Sequence, residues 1–278
     1  MKIAVLSGKG GTGKTFVSTN LSRVIENSVY LDCDVEEPNG HLFLEGPVLL
    51  TTPVALPIPV IDNSLCDGCK KCVDFCQFNA LAYANDKVLV FDKICHSCGG
   101  CEIICPQNAI SEIPRKIGEI QKRTYRDTTL YTGILNTGEE SGTAIIGELL
   151  NCVTPDDFVV IDCPPGSSCV VMDSIKDADY CVIVTEPSIF GSHNLRMVHE
   201  LVELFNKPIG IVLNKTIGEE NPSEQYSKEH NLPILLEIPW SSELGMYNAE
   251  GKLAVEKDEE FREMFSGLLL KIKQEVVK

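Results

Sequence analysis

The sequence predicts an α/β fold in which a mostly parallel sheet is covered by helices and carries one small, cysteine-rich insert. Three observations predict it. Apolar runs of strand length alternate with helix-length segments, a glycine-rich turn separates the first run from the first helix, and the alternation stops between residues 58 and 115. Short continuous apolar runs are typical of parallel strands that are buried on both faces.

The elements follow in order along the chain. Strands are predicted at residues 2–7, 28–31, 129–135, 158–162, 180–185, 208–214 and 234–239. Helices are predicted at residues 14–25, 143–152, 192–205, 222–230 and 258–277. The last helix has an apolar stripe at helical spacing, and its sparse lysines favour packing on the sheet over binding to a membrane surface.

The charge balance limits the classes of partner. The 278 residues include 24 Lys and Arg against 40 Asp and Glu, which gives a net charge of −16. A chain this acidic has no general attraction to nucleic acid or to anionic lipid. No apolar run reaches the ~18 residues of a membrane span, and the first strand begins at Lys2, which leaves no room for a signal peptide. We therefore expect a cytoplasmic protein with no membrane span and no nucleic-acid partner.

The cysteine-rich segment divides the chain into a larger domain, formed by residues 1–57 and 116–278, and a small domain of residues 58–115 inserted into it. Pro53, Pro57 and Pro59 mark the entry to the insert, and Pro114 marks the exit. Surface loops tolerate insertions of this kind because the entropic cost of closing a loop grows slowly with its length.

The insert contains a repeat. Its first four cysteines recur after an offset of 29 residues, so that Cys66, Cys69, Cys72 and Cys76 correspond to Cys95, Cys98, Cys101 and Cys105. The offset also relates residues 79–81 (N-A-L) to residues 108–110 (N-A-I). A fixed offset with matching flanks indicates a duplicated unit. Because the chain has thirteen cysteines, an odd number, metal binding is favoured over a disulfide framework.

Each half of the insert has the pattern C-x2-C-x2-C-x3-C, and Pro106 follows the second half. This pattern resembles that of two-cluster bacterial ferredoxins, which implies a small α+β domain with two [4Fe–4S] clusters. The resemblance assigns Cys66, Cys69, Cys72 and Cys105 to one cluster, and Cys76, Cys95, Cys98 and Cys101 to the other. Two structural zinc sites are the alternative, although zinc usually takes two separated pairs of cysteines.

A phosphate-binding loop is predicted directly after the first strand. The run Gly8-Lys9-Gly10-Gly11-Thr12-Gly13-Lys14-Thr15 satisfies G-x-x-x-x-G-K-[ST] in a strand–loop–helix context. In such a loop the backbone N–H groups surround phosphate oxygens, the lysine reaches the β- and γ-phosphates, and the hydroxyl ligates Mg²⁺. The sequence thus predicts a P-loop NTPase that binds ATP or ADP with Mg²⁺.

The second lysine of this loop points to a particular family. G-K-G-G-T-G-K-T resembles the deviant Walker A loop of the MinD/ParA ATPases, a family that includes the Mrp-type ATPases and the nitrogenase iron protein. The resemblance implies a dimer in which Lys9 contacts the nucleotide of the partner subunit, and it makes Lys9, Lys14 and Asp34 the predicted catalytic residues. A solvated loop lysine is the alternative for Lys9.

Further residues match the same family. The resemblance implies that Asp34 orients the attacking water near Mg²⁺ and that Asp162, in V-V-I-D-C-P-P-G, holds Mg²⁺ through water. It also implies that Asn214 recognises the adenine edge and that Pro239 lines the adenine pocket. Helix capping is the alternative role for either aspartate.

The whole chain resembles MinD-type ATPases that carry an inserted ferredoxin domain, on the basis of D-V-E-E-P-N, G-E-E-S-G and T-E-P-S-I-F-G in addition to the insert. The resemblance implies an ATP-hydrolysing protein that couples its nucleotide state to electron transfer. An ATP-dependent carrier or assembly factor for metal clusters is the alternative, although the C-x-x-C pair of Mrp-type carriers is absent. A positioning ATPase of the MinD type is less favoured by the acidic charge.

The expected partners are a second ATPase subunit, identical or related, and a redox or cluster-accepting protein. Two cysteines outside the insert, Cys163 and Cys169, follow Asp162 closely. They are either free thiols or, by resemblance to the nitrogenase iron protein, ligands of a cluster shared between two subunits.

Overall fold

The computed structural model describes residues 1–218 and 220–276. The strands of these residues are β1 Lys2–Leu6, β2 Val29–Asp32, β3 Val48–Ile61, β4 Leu81–Ala84, β5 Lys87–Val90, β6 Ile110–Tyr125, β7 Thr128–Leu135, β8 Val159–Asp162, β9 Tyr180–Thr185, β10 Ile209–Thr216 and β11 Ile234–Pro239. Nine of them form one sheet in the order β11-β10-β9-β1-β8-β2-β7-β6-β3. Neighbours from β11 to β7 are parallel, and β6 and β3 continue the sheet in antiparallel pairing. The predicted α/β fold with a mostly parallel sheet is confirmed.

Helices cover both faces of this sheet. The helices of the described residues are α1 Lys14–Arg23, α2 Lys71–Phe75, α3 Gly100–Ile104, α4 Thr143–Asn151, α5 Cys169–Ile175, α6 Ile189–Leu204, α7 Pro222–Glu229, α8 Ser242–Ala249, α9 Ala254–Lys257 and α10 Glu259–Val276. Of these, α2 and α3 belong to the cysteine-rich insert and pack in its own small core. On one face Phe16 of α1 packs edge-to-face on Phe265 of α10, with ring centroids 6.1 Å apart. On the other face α4, α5 and α6 bury their apolar side chains in a second core.

The final helix packs on the sheet, as predicted, through Phe265, Leu268 and Ile272. Residue 277, at the end of the predicted range, lies outside the described residues. Among the helices of the described chain, none combines the length and the apolar character that a membrane crossing requires.

Parallel strands bring their carboxyl ends to a common edge, where ligands bind in folds of this kind. The loops after β1, β2, β8, β10 and β11 meet at this edge. The polar residues that the sequence places at strand ends are thereby gathered around one cleft.

The insert is carried by a long ribbon that the sequence did not predict. Strands β3 and β6 pair antiparallel from Val48 opposite Arg123 to Ile61 opposite Ile110. The prolines expected to mark loops lie inside these strands, where Pro57 faces Pro114. Strand β3 is the edge strand of the sheet, and β6 pairs with β7 only from Gly118 onward. Each proline therefore lies in a stretch that has a neighbouring strand on one side only. On the open side the missing N–H removes no ladder hydrogen bond, so proline is tolerated. The predicted domain boundaries at 57/58 and 115/116 fall within these two strands.

Between Ile61 and Ile110 the backbone repeats itself at the same offset as the cysteines. Lys70 and Gly99 both adopt the left-handed conformation directly before α2 and α3. Asn79 and Asn108 form a second left-handed pair, with φ of 55° and 50°. The sequence repeat is therefore also a structural repeat, and the β4–β5 hairpin follows its first half.

Candidate functional site

The predicted phosphate-binding loop connects β1 to α1, and Gly13 is the residue before the helix. Gly13 has a φ of +97°, a left-handed conformation that side chains disfavour. A Cβ atom at this position would lie 2.2 Å from Nδ2 of Asn214. Glycine is thus required at this position both by the backbone conformation and by the close approach of Asn214.

The carboxylate of Asp162, at the end of β8, is the centre of the site. Lys14 Nζ donates a hydrogen bond to its Oδ1 at 2.8 Å. The hydroxyls of Thr15 and Tyr30 donate to its Oδ2, each at 2.8 Å. Asp162 is fully buried, and a buried carboxylate needs such partners to offset its loss of hydration.

Two more carboxylates of the β2 end lie close to this centre. Asp34 Oδ2 lies 3.6 Å from Lys14 Nζ, and burial raises the pKa of Asp34 although Lys14 opposes the shift. Asp32 is fully buried, and its Oδ2 accepts a hydrogen bond from the Gly40 backbone at 2.9 Å. Burial and the neighbouring Asp162 raise the pKa of Asp32 well above its ordinary value.

Lys14 is surrounded by negative charge. Burial alone would lower its pKa, but the carboxylates of Asp162 and Asp34 more than compensate, and the net pKa is raised. Lys14 is therefore a permanent cation at this edge of the sheet, which suits a group that binds phosphate.

Lys9 lies on the surface of its own chain. Its ammonium forms an ion pair with Glu186, in the loop after β9, and lies 5.3 Å from the centre of the Phe190 ring. Both partners belong to the T-E-P-S-I-F-G segment. The contacts with Glu186 and Phe190 define the position of the Lys9 side chain within its own chain. The sequence resemblance predicts that the same side chain acts across a dimer interface.

Asn214 and Lys215, at the end of β10, fix the phosphate-binding loop through hydrogen bonds to its backbone carbonyl oxygens. Asn214 Nδ2 donates to the Thr12 carbonyl oxygen at 2.7 Å, and Lys215 Nζ donates to that of Gly11 at 2.7 Å. The predicted role of Asn214 in adenine recognition stays a prediction, since its amide nitrogen and oxygen both have partners within the chain.

A cleft of about 620 Å³ opens over these groups, within the range of small-molecule sites. Its lining includes Lys9, Gly10, Gly11, Gly13, Lys14, Thr15, Asp34, Asn214 and Pro239 among the predicted residues. Trp240, next to Pro239, lines the mouth of the cleft with 63% of its surface exposed.

The cysteines of the insert gather around two separate cavities. The first is lined by Cys66, Cys69, Cys72 and Cys105, and the second by Cys76, Cys95, Cys98 and Cys101. The structure brings together the four members of each predicted set, including the cysteine that each set takes from the other half of the repeat. Their role as cluster ligands stays a prediction.

The donor chemistry of these cavities fits iron–sulfur clusters. The backbone N–H groups of Ala80 and Ala109 point at Cys76 Sγ and Cys105 Sγ, each at 3.3 Å, and such contacts stabilise sulfur that carries negative charge. Burial raises the pKa of Cys101 to about 11, so metal binding there must displace a proton.

The second cavity has an aromatic wall. Phe78 and His96 stack face to face at its edge, with ring centroids 3.8 Å apart and planes 10° apart.

Across residues 1–218 and 220–276, no compact group of three or more His, Cys, Asp or Glu side chains is placed to hold one metal ion.

The two cysteines after Asp162 differ in accessibility. Cys163 is fully buried in the core, and burial raises the pKa of its thiol well above the ordinary value. Cys169 is exposed at the start of α5. Of the two, only Cys169 is accessible to a ligand shared with another subunit.

Three residues of the site were not predicted from the sequence: Trp240 lines the cleft, Tyr30 donates to Asp162 and Glu186 pairs with Lys9. Tyr30 has the pattern of a core residue in an apolar strand, Glu186 lies in a loop, and Trp240 follows the last strand. The T-E-P-S-I-F-G match and the I-P-W run were the available signals for Glu186 and Trp240. No local signal distinguishes Tyr30 from its apolar neighbours.

Known proteins resemble both parts of the molecule. An uncharacterized protein of Methanocaldococcus jannaschii, MJ0578, is 32% identical over 244 residues, covering 86% of each chain. An iron-sulfur cluster carrier protein of the same organism is 27% identical over 221 residues, covering 77% of this chain and 59% of the relative. An uncharacterized ferredoxin, MJ0199, also of that organism, is 40% identical over 57 residues, covering 19% of this chain and 92% of its own.

Solved structures confirm the fold. The septum site-determining protein MinD of Pyrococcus horikoshii, solved with Mg-ADP, superimposes with a TM-score of 0.60 at 18% identity, covering 96% of this chain and 93% of its own. The family model that describes the CobQ/CobB/MinD/ParA nucleotide binding domain matches residues 3–255. This match spans most of the chain, including the phosphate-binding loop and the ends of β2, β8, β10 and β11. The chain therefore belongs to the CobQ/CobB/MinD/ParA nucleotide-binding family.

Proposed function

We propose that this chain is an ATPase that couples its nucleotide state to electron transfer through an inserted domain, residues 58–115, with two [4Fe–4S] clusters. The observation that supports this most is the division of eight cysteines into two sets of four around separate cavities. These cavities lie on a ribbon that continues the sheet carrying the phosphate-binding loop.

The nucleotide half of the proposal assigns roles to the residues around Asp162. Lys14 and the N–H groups of residues 8–15 bind the phosphates, and Thr15 and Asp162 hold Mg²⁺, Asp162 through water. Mg²⁺, when bound, neutralises charge on the phosphate oxygens. Asp34 orients a water molecule that attacks the γ-phosphorus while the bond to the ADP oxygen breaks.

Lys9 completes the site in a dimer, with either an identical subunit or a related ATPase. Its ammonium must first leave Glu186 and the Phe190 ring before it can reach a nucleotide bound to the partner. Lys9 exchanges the Glu186 carboxylate for a phosphate of the nucleotide. The free-energy cost of this movement is small, because the ammonium is paired with an anion in both positions.

The cysteine half of the proposal assigns Cys66, Cys69, Cys72 and Cys105 to one cluster and Cys76, Cys95, Cys98 and Cys101 to the other. Clusters of this type, when bound, supply one-electron transfer. Cys69 and Cys98 are exposed, so each site has one edge that a redox partner can approach.

A second candidate function is ATP-dependent delivery of clusters to other proteins. The naming of one relative as an iron-sulfur cluster carrier protein supports it, as does the exposure of Cys69 and Cys98. In this case a cluster is cargo, and at least one site must release it on a change of nucleotide.

Anaerobic purification followed by iron and sulfide counting tests the proposal and separates the two candidates. The electron-transfer function predicts about eight irons per chain, retained in the presence of an iron chelator and ATP. Delivery predicts ATP-dependent loss of iron to the chelator or to an apo-ferredoxin. Zinc in place of iron contradicts both functions.

A further inference from the structure

We propose that Arg115 and Glu139 form the link through which the nucleotide state at Asp34 reaches the cysteine site at Cys95. The inference rests on the proposed function and deepens it, because it names the contacts that couple the two halves. The link runs through the loop of residues 136–142, between β7 and α4, which contacts both the insert and the end of β2.

The central contact is a two-pronged ion pair. Arg115 Nη1 donates to Glu139 Oε1 at 2.5 Å, and Nη2 donates to Oε2 at 2.9 Å. The two side chains are only 16% and 10% exposed. Paired parallel hydrogen bonds fix the relative position of both partners more strictly than a single ion pair does. A displacement of the loop must therefore either carry Arg115 with it or break the pair.

Arg115 also contacts the insert. Its Nε lies 3.5 Å from Asp92 Oδ2, and the neighbouring Lys93 Nζ donates to the Gly138 carbonyl at 3.4 Å. Asp92 and Lys93 form a short 3-10 turn that ends directly before Cys95. The contact with Asp92 therefore holds the guanidinium charge against the turn that leads directly into Cys95.

The other end of the loop is held by Val35, which follows Asp34. The Leu135 N–H donates to the Val35 carbonyl at 2.9 Å. A Cβ atom on Gly142 would lie 2.2 Å from Val35 Cγ2, and one on Gly133 would lie 2.7 Å from Val35 Cγ1. Val35 is buried between the two ends of the loop, so a shift of Val35 must move the loop.

These contacts form one continuous path. Asp34 lines the cleft and faces Lys14 at 3.6 Å, so a bound triphosphate and a bound diphosphate place different charges beside it. Movement of Asp34 displaces Val35, the loop and then Glu139. When Glu139 withdraws, the positive charge of Arg115 is offset by Asp92 alone, and a less compensated positive charge near the site favours its reduced, more negative state.

Hydrogen exchange on the full-length, cluster-loaded protein tests the link without measuring activity. Residues 92–99 and 136–142 are followed with Mg-ADP and with a non-hydrolysable ATP analogue. Glu139→Gln removes the ion pair and keeps the side-chain shape. Glu140→Gln removes the same charge one residue away, at an exposed side chain that makes no ion pair with any described residue.

We expect the two nucleotides to change exchange in both segments of the unmodified protein and of Glu140→Gln. In Glu139→Gln we expect the change in residues 136–142 to persist and the change in residues 92–99 to be lost. Retention of both changes in Glu139→Gln overturns the link and leaves the proposed function intact. Absence of any nucleotide effect on residues 92–99 in the unmodified protein overturns the link and the proposed coupling together.

A redox titration followed by electron paramagnetic resonance gives an independent measurement. We expect one cluster to have a higher midpoint potential in Glu139→Gln than in Glu140→Gln, and this potential to be the same with both nucleotides. Arg115→Lys keeps the charge but loses the paired geometry, so its nucleotide response is expected to be lost as well. A nucleotide response that survives in Arg115→Lys and Glu139→Gln overturns the proposal.

Discussion

Lys14 Nζ donates a hydrogen bond to Asp162 Oδ1 at 2.8 Å and thereby joins the phosphate-binding loop to the end of β8. The other oxygen of the same carboxylate accepts from Thr15 and Tyr30. Three of these groups, Lys14, Thr15 and Asp162, are the ones expected to meet phosphate and Mg²⁺. They are therefore held in place by one another, and a change at one of them affects the whole site.

Lys14→Ala is expected to weaken ADP binding by about 100-fold or more, because a buried charge-assisted contact to phosphate is lost. The sequence has a single tryptophan, and Trp240 lines the cleft, so intrinsic fluorescence reports the titration. Lys87→Ala, at an exposed lysine of the insert, is the matched control. Equal affinity in both variants would argue against phosphate binding by Lys14.

Lys9→Ala is expected to lower the ATPase kcat by about 100-fold or more, on the scale of a cationic residue that acts across an interface. The affinity for ADP should change by less than about twofold, because Lys9 rests on Glu186 in its own chain. Steady-state hydrolysis and fluorescence titration measure the two quantities. A variant with unchanged kcat would contradict the proposed role in trans.

Trp240→Ala is expected to weaken ADP binding by about tenfold, since loss of one base-stacking ring costs about 1–3 kcal/mol. Trp240→Phe keeps an aromatic face and should retain most of the affinity. Calorimetric titration measures both variants, because the fluorescent residue itself is removed. Loss of affinity in both variants, or in neither, would exclude stacking on Trp240.

Asp32→Asn is expected to raise the melting temperature of the nucleotide-free protein, and to do so most at alkaline pH. Burial raises the pKa of Asp32 in the folded chain. A carboxyl whose pKa is higher in the folded than in the unfolded chain costs stability as pH rises through the interval between the two values. Asparagine cannot ionise, so the gain should shrink as pH falls.

Melting curves by circular dichroism over a pH series check this prediction. Asp177→Asn, at an exposed carboxylate, is the control and should change the curves little. A gain from Asp32→Asn that grows on acidification would have the wrong sign and would show that Asp32 is stabilised in its charged form.

Cys105→Ala is expected to remove about four of about eight irons per chain, because it deletes one ligand of one predicted cluster. Cys169→Ser, at an exposed thiol outside the insert, should leave the iron content unchanged. Iron analysis of anaerobically purified variants measures both. Loss of iron in Cys169→Ser would instead support a cluster shared between subunits.

The parallel part of the fold could be predicted because its signals are local. The runs K-I-A-V-L and V-V-I-D are buried strands in both the prediction and the structure. The glycine-rich loop was equally clear, since G-x-x-x-x-G-K-[ST] fixes the loop conformation in eight residues. The resemblance to two-cluster ferredoxins groups the eight cysteines into the same two sets that line the two cavities, and their role as cluster ligands stays a prediction.

The remaining parts depend on contacts between distant residues. Strand β3 contains Pro53, Pro57 and Pro59, and its first six residues are exposed. It therefore lacks the alternation of buried and exposed residues that is typical of a half-buried strand. Only its pairing with β6, which is distant in the sequence, identifies it as a strand. Contacts such as Lys9 with Glu186 and Arg115 with Glu139 join residues 177 and 24 positions apart. No local pattern distinguishes such partners from other surface charges.

The most direct test of the coupling is the rate at which the reduced protein passes electrons to a small one-electron acceptor under anaerobic conditions. The rate is compared with ATP, with ADP and in Lys14→Ala protein given ATP. We predict that ATP and ADP give different rates in the unmodified protein and that Lys14→Ala does not respond to ATP. Equal rates in all three samples would contradict the coupling of nucleotide state to electron transfer.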